Sequence, residues 1–176
     1  MSLNIRKVEN DDLEQLVELI NAAYRRQSGR SWTTEQAFVA GDRINKTQLI
    51  NQLGQINFEL FIGEAQSKQL VACIGLSYQQ DSVEIGTFAI DPSIQNSGFG
   101  KEILAYAEQF VMQNHPSITH FLMYVLDVRT ELMAYYQRRG YQLTGKTEAY
   151  PVAANVGQPL VPIQLVEMRK DILRQQ

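Results

Sequence analysis

The sequence predicts a mixed α/β fold in which a mostly antiparallel sheet is flanked by helices, and three observations carry that expectation. Apolar runs near residues 57–65, 69–79 and 82–91 are separated only by the turn-prone pieces Gln66-Ser67-Lys68 and Gln80-Asp81, the pattern of an antiparallel meander. Apolar residues also recur at helical spacing, as Leu13, Leu16, Val17 and Ile20 before the meander and as Ile103, Leu104, Ala107, Phe110 and Val111 after it. Beyond that second helix, strand-like and helix-like segments alternate, which places helices over the faces of one sheet. At 176 residues with 44% apolar residues, one domain spanning 1–176 is expected.

Leu3 to Val8 reads as the first strand, and Asp11 with Glu14 forms a capping box for the helix that follows. The stretch from Arg25 to Gly54 is polar and less regular. Within it Thr33 with Gln36 predicts a short helix, and Leu49, Ile50 and Leu53 before Gly54 predict another. After the meander and its helix, Thr119 to Leu126 suits a central strand, and the helix Thr130 to Arg139 ends at Gly140, a residue suited to a left-handed cap. Tyr141 to Ala149 and Pro162 to Arg169 complete the sheet, joined by a long loop through Pro151 and Pro159. Ile163 to Met168 is either a sheet edge free to pair between subunits or a strand covered within one chain, so monomer and homodimer both stay open.

Composition excludes several classes of function. The net charge of −3 offers no broad pull on nucleic acid. No long apolar span or basic leader is present, so neither a membrane crossing nor export is expected, and the cytoplasm is the inferred location. The single cysteine, Cys73, lies in an apolar run and reads as a small buried residue rather than a catalytic thiol. His115 and His120 lack metal-ligand spacing, so no metal is expected.

The chemistry points to Phe88-Ala89-Ile90-Asp91-Pro92-Ser93-Ile94-Gln95-Asn96-Ser97-Gly98-Phe99-Gly100-Lys101, where an apolar strand meets a glycine-punctuated turn that opens a helix. The first N–H groups of such a helix have no intrahelical partner and can bind a phosphate. Glycine at 98 and 100 lets main chain approach a ligand without an intervening Cβ. The triphosphate-binding loop is excluded by spacing, since its upstream glycine and its magnesium-binding hydroxyl fall on Gln95 and Glu102. The dinucleotide fingerprint is excluded too, because its third glycine falls on Ile103.

Gln95-Asn96-Ser97-Gly98-Phe99-Gly100 resembles the Gln/Arg-x-x-Gly-x-Gly/Ala signature of the Gcn5-related N-acetyltransferase (GNAT) superfamily. Leu132 to Tyr141, with Tyr136 four residues before a Gly-aromatic pair, resembles its second signature. The resemblance implies that acetyl-CoA is the acyl donor. Its pyrophosphate would lie on Gln95, Asn96, Ser97, Gly98, Phe99, Gly100 and Lys101, and its thioester and pantetheine arm along Phe88, Ala89 and Ile90. It also implies that Tyr136 is the general acid for the departing thiolate. Where many relatives carry Asn seven residues before that tyrosine, this chain has Arg129, which leaves one cofactor contact open.

Glu84 is the candidate general base, because strict strand alternation puts it on one face with Gly86, Phe88 and Ile90. The expected acceptor is a primary amine of a small molecule or peptide, attacked directly. The alternative is a non-catalytic acyl-CoA sensor or interaction module on the same fold. Trp32, Glu35, Arg43 and the Tyr150 to Pro162 loop are candidate acceptor segments. Arg43 reads as a surface charge or as a partner for an acceptor carboxylate.

Overall fold

The computed structural model describes residues 2–25, 35–94 and 97–173. Trp32 and Thr33, and the phosphate-loop candidates Gln95 and Asn96, lie outside the described residues. The chain runs β1 (Asn4–Lys7), α1 (Leu13–Arg25), β2 (Val39–Ala40), α2 (Lys46–Leu53), β3 (Phe58–Glu64), β4 (Leu70–Tyr78), β5 (Ser82–Ile90) and α3 (Phe99–Asn114). It continues with β6 (His120–Leu126), α4 (Thr130–Gln137), β7 (Gln142–Ala149), β8 (Gln158–Pro159) and β9 (Gln164–Asp171). Seven strands form one sheet in the order β1-β3-β4-β5-β6-β9-β7, and β2 pairs with β8 in a separate ribbon. Every pairing is antiparallel except β5 with β6.

The apolar faces of the helices decide the layering. α1 buries Leu13, Leu16, Leu19, Ile20 and Ala23 with Leu49 of α2 against Leu60, Ile62 and Cys73 of the sheet. α3 buries Ile103, Leu104, Ala107 and Val111 on the opposite face, against Val71, Ile74, Val83 and Phe121. Burial of so many large side chains on both faces, each contributing roughly 1.5–3 kcal/mol, makes the sheet the centre of a three-layer sandwich. Among the described residues no helix is long and apolar enough to cross a membrane, and none form a metal-ligating cluster.

Several local expectations need correction. The cap before α1 lies earlier than Asp11: a 3-10 turn spans Asn10–Asp12, and Asp12 Oδ2 accepts from the Glu9 N–H at 2.7 Å. Arg6 of β1 holds the Asp12 carboxylate in that register, at 2.8 Å through both terminal nitrogens. α2 carries a capping box from Asn45 and Gln48. β9 is not an edge strand, for it sits between β6 and β7, and the edge falls to the wholly exposed β7. His120 is buried with Nδ1 2.9 Å from Thr119 Oγ1, and His115 stacks on Tyr78 at 4.2 Å, so both are structural.

The largest departure is in β5. Cys73 pairs with Ala89 and Gly75 with Gly86, so Thr87 and Phe88 together oppose Ile74 alone. This is a β-bulge, and Thr87 carries the positive φ of 46° that accommodates it. The extra residue reverses the alternation. Glu84, Gly86 and Ala89 therefore lie opposite Ser77, Gly75 and Cys73 on the α1 face, whereas Phe88 and Ile90 pack with the α3 core. Glu84 and Gly86 do not share a face with Phe88 and Ile90.

The β2–β8 ribbon ties the segment after α1 to the loop between β7 and β9. Arg25 holds the same junction, with Nη1 on Glu35 Oε2 at 2.7 Å, Nε on the Gly41 carbonyl at 2.7 Å and Nη2 on the Val156 carbonyl at 2.6 Å. Gly157 is required there, because a Cβ would lie 2.5 Å from Val39 Cγ1 and 2.9 Å from Arg25 Nη2, at φ +119°. Gly157→Ala is expected to destabilise the protein by about 2–5 kcal/mol through overpacking and backbone strain, read as a lowered midpoint in chemical denaturation.

Candidate active site

The parallel pairing of β5 with β6 is confined to Ser82–Glu84 against His120–Leu122, and beyond it the two strands share no ladder. A cavity of about 210 Å³ occupies the opening. Its walls are the stretches of β5 and β6 that no longer pair with each other, Ile85 to Phe88 and Met123 to Leu126, together with Arg129, Tyr136, Glu35, Arg43 and Tyr150. The cavity is where the sheet splits, and three main chains contribute to it.

Glu84 stands at the point where the β5–β6 ladder ends, pairing with Leu122 across the parallel register and lining the cavity. Burial raises its pKa above the ordinary carboxylate range, the Glu148 charge adds to the rise, and Arg43 opposes it. Tyr136 is 6% exposed and lines the same cavity. Its ring is packed against Phe88, Tyr135 and Tyr141, at centroid distances of 6.4, 5.3 and 6.0 Å. Burial holds its phenol well above the ordinary tyrosine pKa, so it stays protonated at neutral pH. Tyr141 is itself anchored, donating to Glu108 Oε1 at 2.8 Å while Lys170 donates to Glu108 Oε2 at 2.6 Å.

The loop residues form a second group. α3 begins after Gly98, which has φ +80° and no side-chain cap. The first helical bond there runs from the Glu102 N–H to the Gly98 carbonyl at 3.0 Å, so the N–H groups of Gly100 and Lys101 precede the ladder. Ser97 Oγ lies 3.4 Å from the Phe99 N–H, a long contact. Among the described residues a Cβ built on Gly98 would meet nothing within 4 Å. On Gly100 a Cβ would lie 3.2 Å from Tyr135 Oη, 3.7 Å from Ile90 Cγ1 and 3.9 Å from Phe88 Cζ, so the helix start packs against the strand that lines the cavity. A helix start without a side-chain cap suits a phosphate group, and it adjoins the cavity through Phe88 and Ile90.

Of the sequence-predicted residues, Glu84, Phe88 and Tyr136 line the cavity, and Ser97, Gly98, Phe99, Gly100 and Lys101 stand at the start of α3. Phe99 points into the α3 core, leaving its main chain for the loop. Ala89 is fully buried on the α1 face and does not line the cavity, so its side chain is not available to a ligand. Cys73 donates to the Thr87 carbonyl at 3.2 Å and its thiol is pushed up to about 12 by burial, which removes it as a nucleophile. Sequence reasoning missed Tyr24, which lines the cavity and donates to the Phe88 carbonyl at 3.1 Å. Its signal was the spacing of four from Ile20, which continues the buried face of α1.

Three relatives bear on this geometry. The chain is 23% identical over 148 residues to the spermidine N(1)-acetyltransferase of Thermoplasma acidophilum, covering 81% of this chain and 90% of that protein. It superposes on the ribosomal-protein-S18-alanine N-acetyltransferase of Escherichia coli with a TM-score of 0.72 at 14% identity, covering 99% and 96% of the two chains. It superposes on the PaiA N-acetyltransferase of Thermoplasma acidophilum, solved with coenzyme A, with a TM-score of 0.66 at 17% identity, covering 98% and 100%. Residues 13–141, from the first helix through the second signature, match the acetyltransferase (GNAT) family, and the chain belongs to that family.

Proposed function

We propose that this protein is an N-acetyltransferase that moves an acetyl group from acetyl-CoA to a primary amine by direct attack, with no covalent enzyme intermediate. One observation carries the reading: a carboxylate and a phenol, both with raised pKa values, face one cavity at the split of the sheet, next to an uncapped helix start. Such a pairing of a base and an acid in a cleft is what amine acylation needs. Relatives solved with coenzyme A or acetyl-CoA bound support the donor.

Acetyl-CoA supplies an acyl group already activated as a thioester. Glu84 takes a proton from the acceptor ammonium, whose pKa of about 10.4 would otherwise keep it unreactive at neutral pH. The Phe88 main-chain N–H, at the bulge where the ladder is interrupted, donates to the carbonyl oxygen as negative charge develops on it. Tyr136 donates its proton toward the leaving sulfur. Ile90 lies along the pantetheine arm, and the main chain from Gln95 to Lys101 holds the pyrophosphate.

Thiol release from acetyl-CoA in the presence of a panel of primary amines tests the reaction. Stabilisation by coenzyme A with no thiol release from any amine would instead favour a non-catalytic binding module. Gly98→Ala tests the phosphate seat. The substitution places a methyl group in a left-handed conformation, costing about 1–2 kcal/mol, and obstructs the approach to the helix start. It is expected to weaken coenzyme A about tenfold, equivalent to about 1.4 kcal/mol, by titration calorimetry. An unchanged affinity would move the pyrophosphate elsewhere.

A further inference from the structure

The acceptor side of the cavity has its own chemistry. Arg43 is not a surface charge but a wall of the cavity, with its guanidinium 5.5 Å from the centre of the Tyr24 ring. Its backbone is fixed by one side chain of α1: Asn21 Oδ1 accepts from the N–H groups of Arg43 and Ile44 at 2.8 and 3.1 Å, and Asn21 Nδ2 donates to the Ile44 carbonyl at 2.8 Å. Among the described residues no carboxylate stands within ion-pair distance of that guanidinium. Glu35, which also lines the cavity, is held by Arg25 at 2.7 Å. A cation fixed at its backbone, half-buried and with no ion-pair partner among the described residues can take an anion from a ligand in the cavity beside it.

The charges around the cavity sharpen the requirement. Among the described residues Arg43 and Arg129 line it with Glu84 and Glu35, Arg25 pairs with Glu35, and the charges of Glu35 and Glu131 bear on Arg129. A chain of two or three ammonium groups would bring further positive charge toward Arg43, whose guanidinium has only donors to offer it. A ligand bearing one ammonium and one carboxylate matches instead, amine toward Glu84 and carboxylate toward Arg43, whose planar fork suits bidentate pairing. The volume of about 210 Å³ lies below the roughly 300–1,000 Å³ of sites for drug-sized ligands.

We propose that the acceptor is a small free amino acid, its carboxylate seated on Arg43 and its amine presented to Glu84. This rests on the acetyltransferase reading above. It sets the chain apart from the polyamine named for its Thermoplasma acidophilum relative.

The test follows thiol release from acetyl-CoA with free amino acids, the same amino acids as primary amides, and spermidine. Free acids are expected to exceed their own amides at least tenfold in kcat/KM. Arg43→Gln is expected to raise KM for the free acid tenfold or more, collapsing the preference for acid over amide, and Arg43→Lys to restore part of it. Equal use of acid and amide by the native protein, or spermidine turned over faster than every free acid, would overturn the amino-acid assignment while leaving the acetyltransferase standing. No thiol release from any amine, with coenzyme A still raising the melting temperature, would remove both. An unaltered melting temperature for Arg43→Gln separates a binding defect from a folding one.

Discussion

Glu84→Gln is expected to lower kcat/KM by about 10²–10⁴-fold, the usual contribution of a positioned general base. The native rate should rise with pH through an inflection above the ordinary glutamate value of about 4.3, because burial and Glu148 hold the Glu84 proton on. In the variant that inflection disappears. The deficit should be widest between the Glu84 pKa and that of the amine, and should narrow as the solution itself deprotonates the acceptor near pH 10. Stability provides the control, and its sign is definite. A folded pKa raised above the unfolded one means that stability is full at low pH and is lost as pH rises through the folded value. Above that folded value the ionised Glu84 therefore opposes folding, and there Gln should leave the melting temperature equal or higher. A variant with an intact pH profile and rate would remove Glu84 from the reaction.

Tyr136→Phe is expected to reduce kcat by about 10²-fold, the lower range for an acid or a donor aimed at developing charge. A buried phenol is a weaker acid than an alkyl thiol, for which cysteine gives about 8.5. Complete transfer ahead of bond cleavage is uphill, so the proton moves as charge builds on sulfur. The loss should accordingly shrink with an acyl donor whose leaving thiol is more acidic, since such a group departs with less help. Tyr136 packs among Phe88, Tyr135 and Tyr141, and phenylalanine keeps that packing, so stability should change little. Equal losses with good and poor leaving groups would make the hydroxyl a structural feature.

Much of the fold was legible in linear patterns. The meander, the helix after the glycine turn and the cap at Gly140, which adopts φ +93°, all follow from spacing and local backbone preference. Acid-base candidates were legible only as residue types near motifs. Glu84 was selected by counting alternation along β5, and the count failed at Thr87, where one extra residue reverses the faces. The residue lines the cavity nonetheless, because it ends the β5–β6 ladder. Arg43 and Tyr24 were harder, since neither belongs to a motif and each acquires meaning from what lies across the cavity.

The sequence alone determined most of the elements and the glycine-opened helix start proposed to seat a phosphate, because helix periodicity, strand length and glycine at a left-handed position are properties of adjacent residues. The tertiary structure decided which side chains share the cavity. Neither the bulge, the internal place of β9 nor the split between β5 and β6 is written in any local window: each is settled by strands competing for hydrogen-bond partners, and by helices competing for the two faces of one sheet.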